Sequence, residues 1–232
     1  MKAERIDIAG IPAILYGEPS DRSYLFLHGK CGHKEEAEEF ATLACAAGNQ
    51  VLSIDLPEHG ERIGMRNAFN PWTVVPELQK VMGYVRTRWN EISIRANSIG
   101  AYFSMLAFGG AGIRKALLVS PIVDMEQLIA DMMTWADVKE EVLREKGELS
   151  TGFGETLSWQ YLCWVREHPI EDWSCPTAIL YAGRDNLTAR STVEMFTVRH
   201  HAALTVIEDG EHWFHTAEQI KALRAWERDN IG

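Results

Sequence analysis

Short apolar runs of strand length alternate with helical segments through most of the chain, and this alternation constrains the fold more than any other feature. Runs at 6–8 and 11–16 flank Ala9-Gly10 as an opening hairpin, and 24–27 is a third strand ending at His28-Gly29. A helical stretch at 35–47 is closed by Gly48 and feeds a strand at 51–54. The rhythm continues with a helix over 71–90, a strand at 92–96, a helix over 101–108 stopped by Gly109-Gly110, and a strand at 116–119. Units of this kind predict an α/β protein with a mostly parallel central sheet and helices on both faces, because each crossover helix must bury its apolar stripe on the sheet. Ligands of such sheets bind outside the carboxyl ends of the strands, so functional side chains are expected directly after strands.

After Ser120-Pro121 the rhythm breaks. Residues 122–168 read as helices only, before a strand at 177–181, a helix near 191–199, a strand at 204–207 and a final helix near 216–228. The expected division is a core of 1–121 and 169–232 with a helical cap, 122–168, inserted after the sixth strand. A chain of 232 residues, 46% of them hydrophobic, suits one core with a modest insertion. A formal charge of -10 would repel nucleic-acid phosphates and anionic membrane surfaces, so neither is an expected partner. The charged N-terminus lacks a secretory pattern and no apolar run approaches a membrane span, which reads as a cytoplasmic protein. Cys31, Cys45, Cys163 and Cys175 have neither disulfide-framework nor zinc-site spacing, and no metal or cofactor is expected.

The chemistry concentrates in three post-strand loops. Ala96-Asn97-Ser98-Ile99-Gly100 turns from a strand into a helix with small residues two before and two after the serine, as a tight strained elbow requires if the hydroxyl is to stand clear of the sheet. A serine hydroxyl is a poor nucleophile near neutral pH and needs a base, and the base needs an acid to fix its tautomer. Asp185, in Gly183-Arg184-Asp185-Asn186, and His212, in Gly210-Glu211-His212-Trp213, follow the next two strands in the order such a triad takes. Asp124, after the sixth strand, is a rival acid, and Asp209 is read as bracing the histidine loop.

These motifs resemble the α/β-hydrolase superfamily over nearly the whole chain, and more narrowly its esterase, lipase and serine-aminopeptidase-like branch with a small helical cap. Leu27-His28-Gly29-Lys30-Cys31-Gly32 is similar to the family's His-Gly oxyanion turn, and Asp55-Leu56-Pro57-Glu58-His59-Gly60-Glu61-Arg62 to its Asp-x-Pro-Gly-His-Gly-x-Ser segment. Glu58 stands where the family has glycine and Arg62 where it has serine. The resemblance implies an oxyanion hole made by the backbone N–H groups of Lys30 and Ile99, with Cys31 as the alternative to Lys30. It also implies a triad of Ser98, His212 and Asp185 that needs no cofactor.

Other features read more simply. His28 and His59 satisfy their own turns, His200 and His201 are surface residues, and His215 opens the last helix. In the insertion, Met132, Trp135 and Trp159 serve core packing or line a substrate pocket, with Trp72 and Trp213 as further pocket candidates. The expectation is a serine hydrolase acting on a small-molecule carboxylic ester with a small to medium acyl or aromatic group. A peptidase, an amidase, a thioesterase, a lyase or cofactor-free haloperoxidase would use the same residues, and a non-catalytic binding module would use the same fold. A homodimer is compatible with such a fold, and nothing in the sequence specifies one.

Overall fold

The computed structural model describes residues 1–232. The chain opens with β1 (Ala3–Ile8), β2 (Ile11–Tyr16) and β3 (Arg22–Leu27), followed by α1 (Glu38–Ala46), β4 (Gln50–Ile54), α2 (Pro71–Arg86), β5 (Glu91–Asn97), α3 (Ser98–Phe108) and β6 (Lys115–Val119). Next come α4 (Met125–Trp135), α5 (Glu140–Lys146), β7 (Glu148–Ser150), β8 (Thr156–Ser158) and α6 (Trp159–Glu167). The chain then returns through β9 (Thr177–Ala182), α7 (Arg190–His200), β10 (Ala203–Ile207) and α8 (Ala217–Asn230). Eight strands form one sheet in the order β1-β2-β4-β3-β5-β6-β9-β10. Only the β1–β2 and β2–β4 pairs are antiparallel.

The strands predicted from sequence are all present, and the parallel part is as expected. Its central strands are buried on both faces: all five residues of β4 are inaccessible, as are five of the seven in β5. One apolar layer includes Val81, Phe103 and Ile179, and the other includes Phe26, Phe40 and Trp226. α1 and α8 pack together on one face, while α2 and α3 pack together elsewhere.

The insertion differs from its purely helical expectation. β7 and β8 form an antiparallel hairpin with Leu149 opposite Leu157. Two three-residue strands between α5 and α6 are too short to stand out against helical flanks, although Leu149 and Leu157 each sit between polar residues around Gly152-Phe153-Gly154. The hairpin is tied in by Trp159 N–H, which donates to the Gly147 carbonyl at 2.7 Å.

The segment Asp55 to Arg62 explains its own departures from the family pattern. Glu58 holds a left-handed φ of 65°, where glycine is the unstrained choice, and its Oε1 accepts the N–H groups of Ala68 (2.7 Å) and Phe69 (3.2 Å). Arg62 is buried and forms a forked pair with Glu77 at 2.8 Å on each arm. Both side chains brace the loop that delivers α2. Asp55, fully buried, accepts Lys34 Nζ at 2.7 Å, and its two oxygens also accept the backbone N–H groups of Lys34 and Glu61 at 2.9 Å.

At the start of α3 the helix backbone lies against the end of β3. A Cβ built on Gly100 would stand 2.3 Å from the His28 carbonyl oxygen and 2.9 Å from that of Leu27. Because both obstacles are backbone, Gly100→Ala is expected to destabilise the fold by roughly 1–3 kcal/mol and to displace the turn holding Ser98. Chemical denaturation measures the first effect, and an unchanged midpoint would mean that α3 can move off β3 freely.

Candidate active site

Ser98, Asp185 and His212 follow β5, β9 and β10, and the parallel sheet brings their loops to one edge. Ser98 Oγ lies 2.8 Å from His212 Nε2, and His212 Nδ1 lies 2.7 Å from Asp185 Oδ2. A carboxylate only accepts, so Nδ1 carries the proton and Nε2 is left to accept from the serine hydroxyl. The Asp185 side chain is fully buried, and that of His212 is 15% exposed, open enough for a proton to pass to a bound molecule. The other Asp185 oxygen accepts the N–H groups of Leu187 (2.8 Å) and Thr188 (3.1 Å), and Tyr181 Oη ties the same loop by donating to the Thr188 carbonyl at 2.8 Å.

Ser98 has a φ of 48°, the left-handed conformation that a strand-to-helix elbow imposes on a non-glycine residue. Its neighbours leave no alternative: Ala96 is fully buried, and the Gly29 backbone lies so close that an added Cβ would stand 3.3 Å from the Ser98 Cβ.

The His28–Gly32 turn lies beside it. Cys31 N–H donates to His59 Nε2 at 2.9 Å, which occupies that donor, whereas Lys30 N–H has no acceptor within the protein. The Ile99 N–H belongs to the first turn of α3, where amides lack intrahelical partners. Lys30 and Ile99 therefore offer the free pair of donors, and Cys31 does not. The Lys30 side chain leaves the turn and pairs with Glu155 at the hairpin of the insertion.

The remaining sequence-selected residues are placed as follows. Asp124 caps α4, accepting Gln127 N–H at 2.9 Å, and does not reach His212. Asp209 is exposed; its carbonyl holds the histidine loop by accepting Gln219 Nε2 at 3.0 Å, and its carboxylate pairs with Arg184 of the Asp185 loop at 2.5 Å. His215 is exposed and lies just before α8. His201 is exposed, but His200 is half-buried and bonded through Nδ1 to the Trp173 carbonyl at 3.0 Å. Trp72 packs edge-on to Tyr161 with ring centroids 5.9 Å apart. Met132 and Trp159 are half-buried against the main core. Trp135 and Trp213 are largely exposed, the first against Phe153 and the second against His215.

A cavity of about 320 Å³ opens between α3, α6 and α7, bordered by Tyr102, Val123, Asp124, Val165, Phe196 and His200. None of the triad and none of the five pocket candidates borders it. Of its walls, only Asp124 carried a signal in the sequence, as a polar residue just after a strand.

No helix is long and apolar enough to cross a membrane. No protein-family model and no curated protein matches the sequence. Solved structures do match. Est1E from Butyrivibrio proteoclasticus with ferulic acid bound has a TM-score of 0.77 at 16% identity, covering 98% of this chain and 97% of that one. Alpha/beta hydrolase domain-containing protein 10 from mouse has a TM-score of 0.76 at 13% identity, covering 100% and 98%. The thioesterase domain from the curacin biosynthetic pathway reaches 0.63 at 16% identity, covering 98% and 99%. The chain has the α/β-hydrolase fold.

Burial holds the His28 pKa down, from 6.5 to about 4. The ring is bonded through Nδ1 to the Gly29 carbonyl at 2.7 Å and accepts Leu56 N–H at Nε2 (3.0 Å), a face that a second proton would block. Between pH 6.5 and 4 the unfolded chain takes up a proton that the folded chain refuses, so acidification favours unfolding. The stability present at pH 7 is therefore expected to fall by about 3 kcal/mol across that window through this residue. Denaturant titrations of wild type and His28→Gln test this, and identical pH slopes would refute it.

Proposed function

We propose that the chain is a serine hydrolase that cleaves carboxylic esters through an acyl-enzyme. The observation that carries this reading is the continuous chain of hydrogen bonds from Ser98 through His212 to the buried Asp185, beside two unoccupied backbone donors. Ser98 Oγ attacks the substrate carbonyl while His212 Nε2 takes its proton, and Asp185 stabilises the resulting imidazolium. The N–H groups of Lys30 and Ile99 receive the developing oxyanion, each such donor contributing about 10²- to 10³-fold in rate. His212 then protonates the leaving alkoxide. It next activates water, which releases the acid and regenerates Ser98.

In this reading residues 122–168 act as a cap on a core of 1–121 and 169–232. Aromatic acyl groups are the first substrates to try, because a neighbour in fold binds ferulic acid and Trp72 and Tyr161 form an aromatic pair between α2 and α6. A thioester is the second class, favoured by the likeness to a thioesterase domain, and the same triad and oxyanion donors serve it.

Labelling with a fluorophosphonate probe, followed by peptide mapping, is expected to give one adduct on Ser98. Matched 4-nitrophenyl esters and acyl thioesters then rank the two substrate classes. Ser98→Ala is expected to leave folding intact and to lower turnover by on the order of 10⁴- to 10⁶-fold. Folded protein that takes no label, or a Ser98→Ala variant with near-normal turnover, would sink the proposal.

A further inference from the structure

Three residues before Ser98, on β5, Arg95 carries a charge almost without access to solvent. Its side chain is 2% exposed and lies over the rings of Phe26 and Phe40, 5.5 and 5.7 Å from their centroids. Its Nε and Nη2 reach Glu227 Oε1 at 2.9 and 2.8 Å. Glu227 is itself fully buried and takes Arg224 on its other oxygen at 2.6 Å. The third arm, Nη1, donates to Asn97 Oδ1 at 2.6 Å. Asn97 immediately precedes Ser98.

A buried ion pair is a weak source of net stability compared with well-packed apolar residues, so its contribution here is sought in geometry. Glu227 lies on α8, the helix that begins just after the histidine loop. The first turn of α8 already holds that loop, with Gln219 donating to the Asp209 carbonyl and accepting His215 N–H. Arg95 thus ties the strand bearing the nucleophile to the helix anchoring the base, and with its free arm it grips the residue before the serine. From the opposite side Asn97 meets Gly29, where an added Cβ would stand 3.7 Å from the Asn97 Cβ. A strained φ at Ser98 persists only if its surroundings over-determine it, and these contacts supply that restraint.

We infer that Arg95, held by Glu227, is a positioning residue that fixes Asn97 and through it the direction of the Ser98 hydroxyl toward His212. The inference rests on the reading of Ser98 as nucleophile. Arginine is required because its planar fork reaches both partners at once, which a single ammonium group does not.

The test uses the full chain with three substitutions. Asn97→Ala removes the acceptor and leaves the Arg95–Glu227 pair in place. Asn97→Asp keeps an acceptor oxygen for Nη1. Arg95→Lys keeps the charge and loses the fork. The readouts are the rate of fluorophosphonate labelling at Ser98, kcat and KM for 4-nitrophenyl acetate, and the melting temperature. Asn97→Ala is expected to lower both labelling rate and kcat by about tenfold, with KM within about twofold of wild type. Asn97→Asp should stay within about threefold of wild type, and Arg95→Lys should follow Asn97→Ala.

A purely structural role would move the melting temperature without this split between kcat and KM. Wild-type labelling of Asn97→Ala, or an equal loss in Asn97→Asp, overturns the inference while leaving the proposed activity intact. If Arg95→Lys does not fold, the two Asn97 variants decide alone. A wild type that takes no label overturns the activity and the inference together.

Discussion

The close approach of α3 to the end of β3 is the constraint from which the rest of the site follows. Gly100 lies against the carbonyls of Leu27 and His28, and two residues earlier, where the chain turns from β5 into α3, Ser98 holds a φ of 48°. The same contact brings the His28–Gly32 turn beside the serine, so strain at one residue and free amides at its neighbours have a common origin. A conformation of this kind costs on the order of 1–3 kcal/mol and survives only inside a structure that fixes it from several directions. Here the fixing comes from a sheet whose central strands are buried on both faces and from the contacts of Asn97 with Arg95 and Gly29.

Dry electrostatics hold the loops that the sheet does not. Lys34–Asp55 and Arg62–Glu77 pin the segment after β4, while Arg95–Glu227 pins the strand before the elbow. Each pair is desolvated at one or both ends, so it is worth having only with good geometry, and each is completed by further hydrogen bonds to backbone or side chains. His28 and His59 work in the same way without charge. Each uses Nδ1 on a carbonyl of its own turn and Nε2 to receive an N–H from a different loop. That arrangement occupies Cys31 N–H and leaves Lys30 N–H free, which singles out one donor from two adjacent ones.

Residues 122–168 touch the rest of the chain beside this turn. Lys30, whose amide has no acceptor within the protein, sends its side chain to Glu155 on the hairpin, and Tyr161 of α6 packs on Trp72 of α2. An exposed ion pair adds little energy. Its consequence is placement, since it sets the hairpin of 148–158 beside the His28–Gly32 turn. The cavity of about 320 Å³ lies apart from these contacts, on the side of α3 facing α7.

What the sequence determined by itself was local in origin. Strand and helix periodicity fixed the alternating order, because one buried face imposes its period on the residues that form it. Small residues around Ser98 and the post-strand positions of Asp185 and His212 marked the candidate site, since a tight elbow tolerates nothing larger and a parallel sheet gathers such loops at one edge. The β7–β8 hairpin escaped, being two three-residue strands whose pairing depends on a partner across a turn. The work of Arg95, Glu58 and Arg62 escaped for a related reason: a charged residue shows its partner only after folding brings together positions as far apart as 95 and 227. Tertiary structure decided between readings the sequence left side by side, freeing the Lys30 amide rather than that of Cys31 and bringing Asp185 rather than Asp124 to His212, and it alone showed what holds the serine in its strained turn. Those decisions are hydrogen-bond and charge pairings between distant segments, which a local pattern can suggest but does not settle.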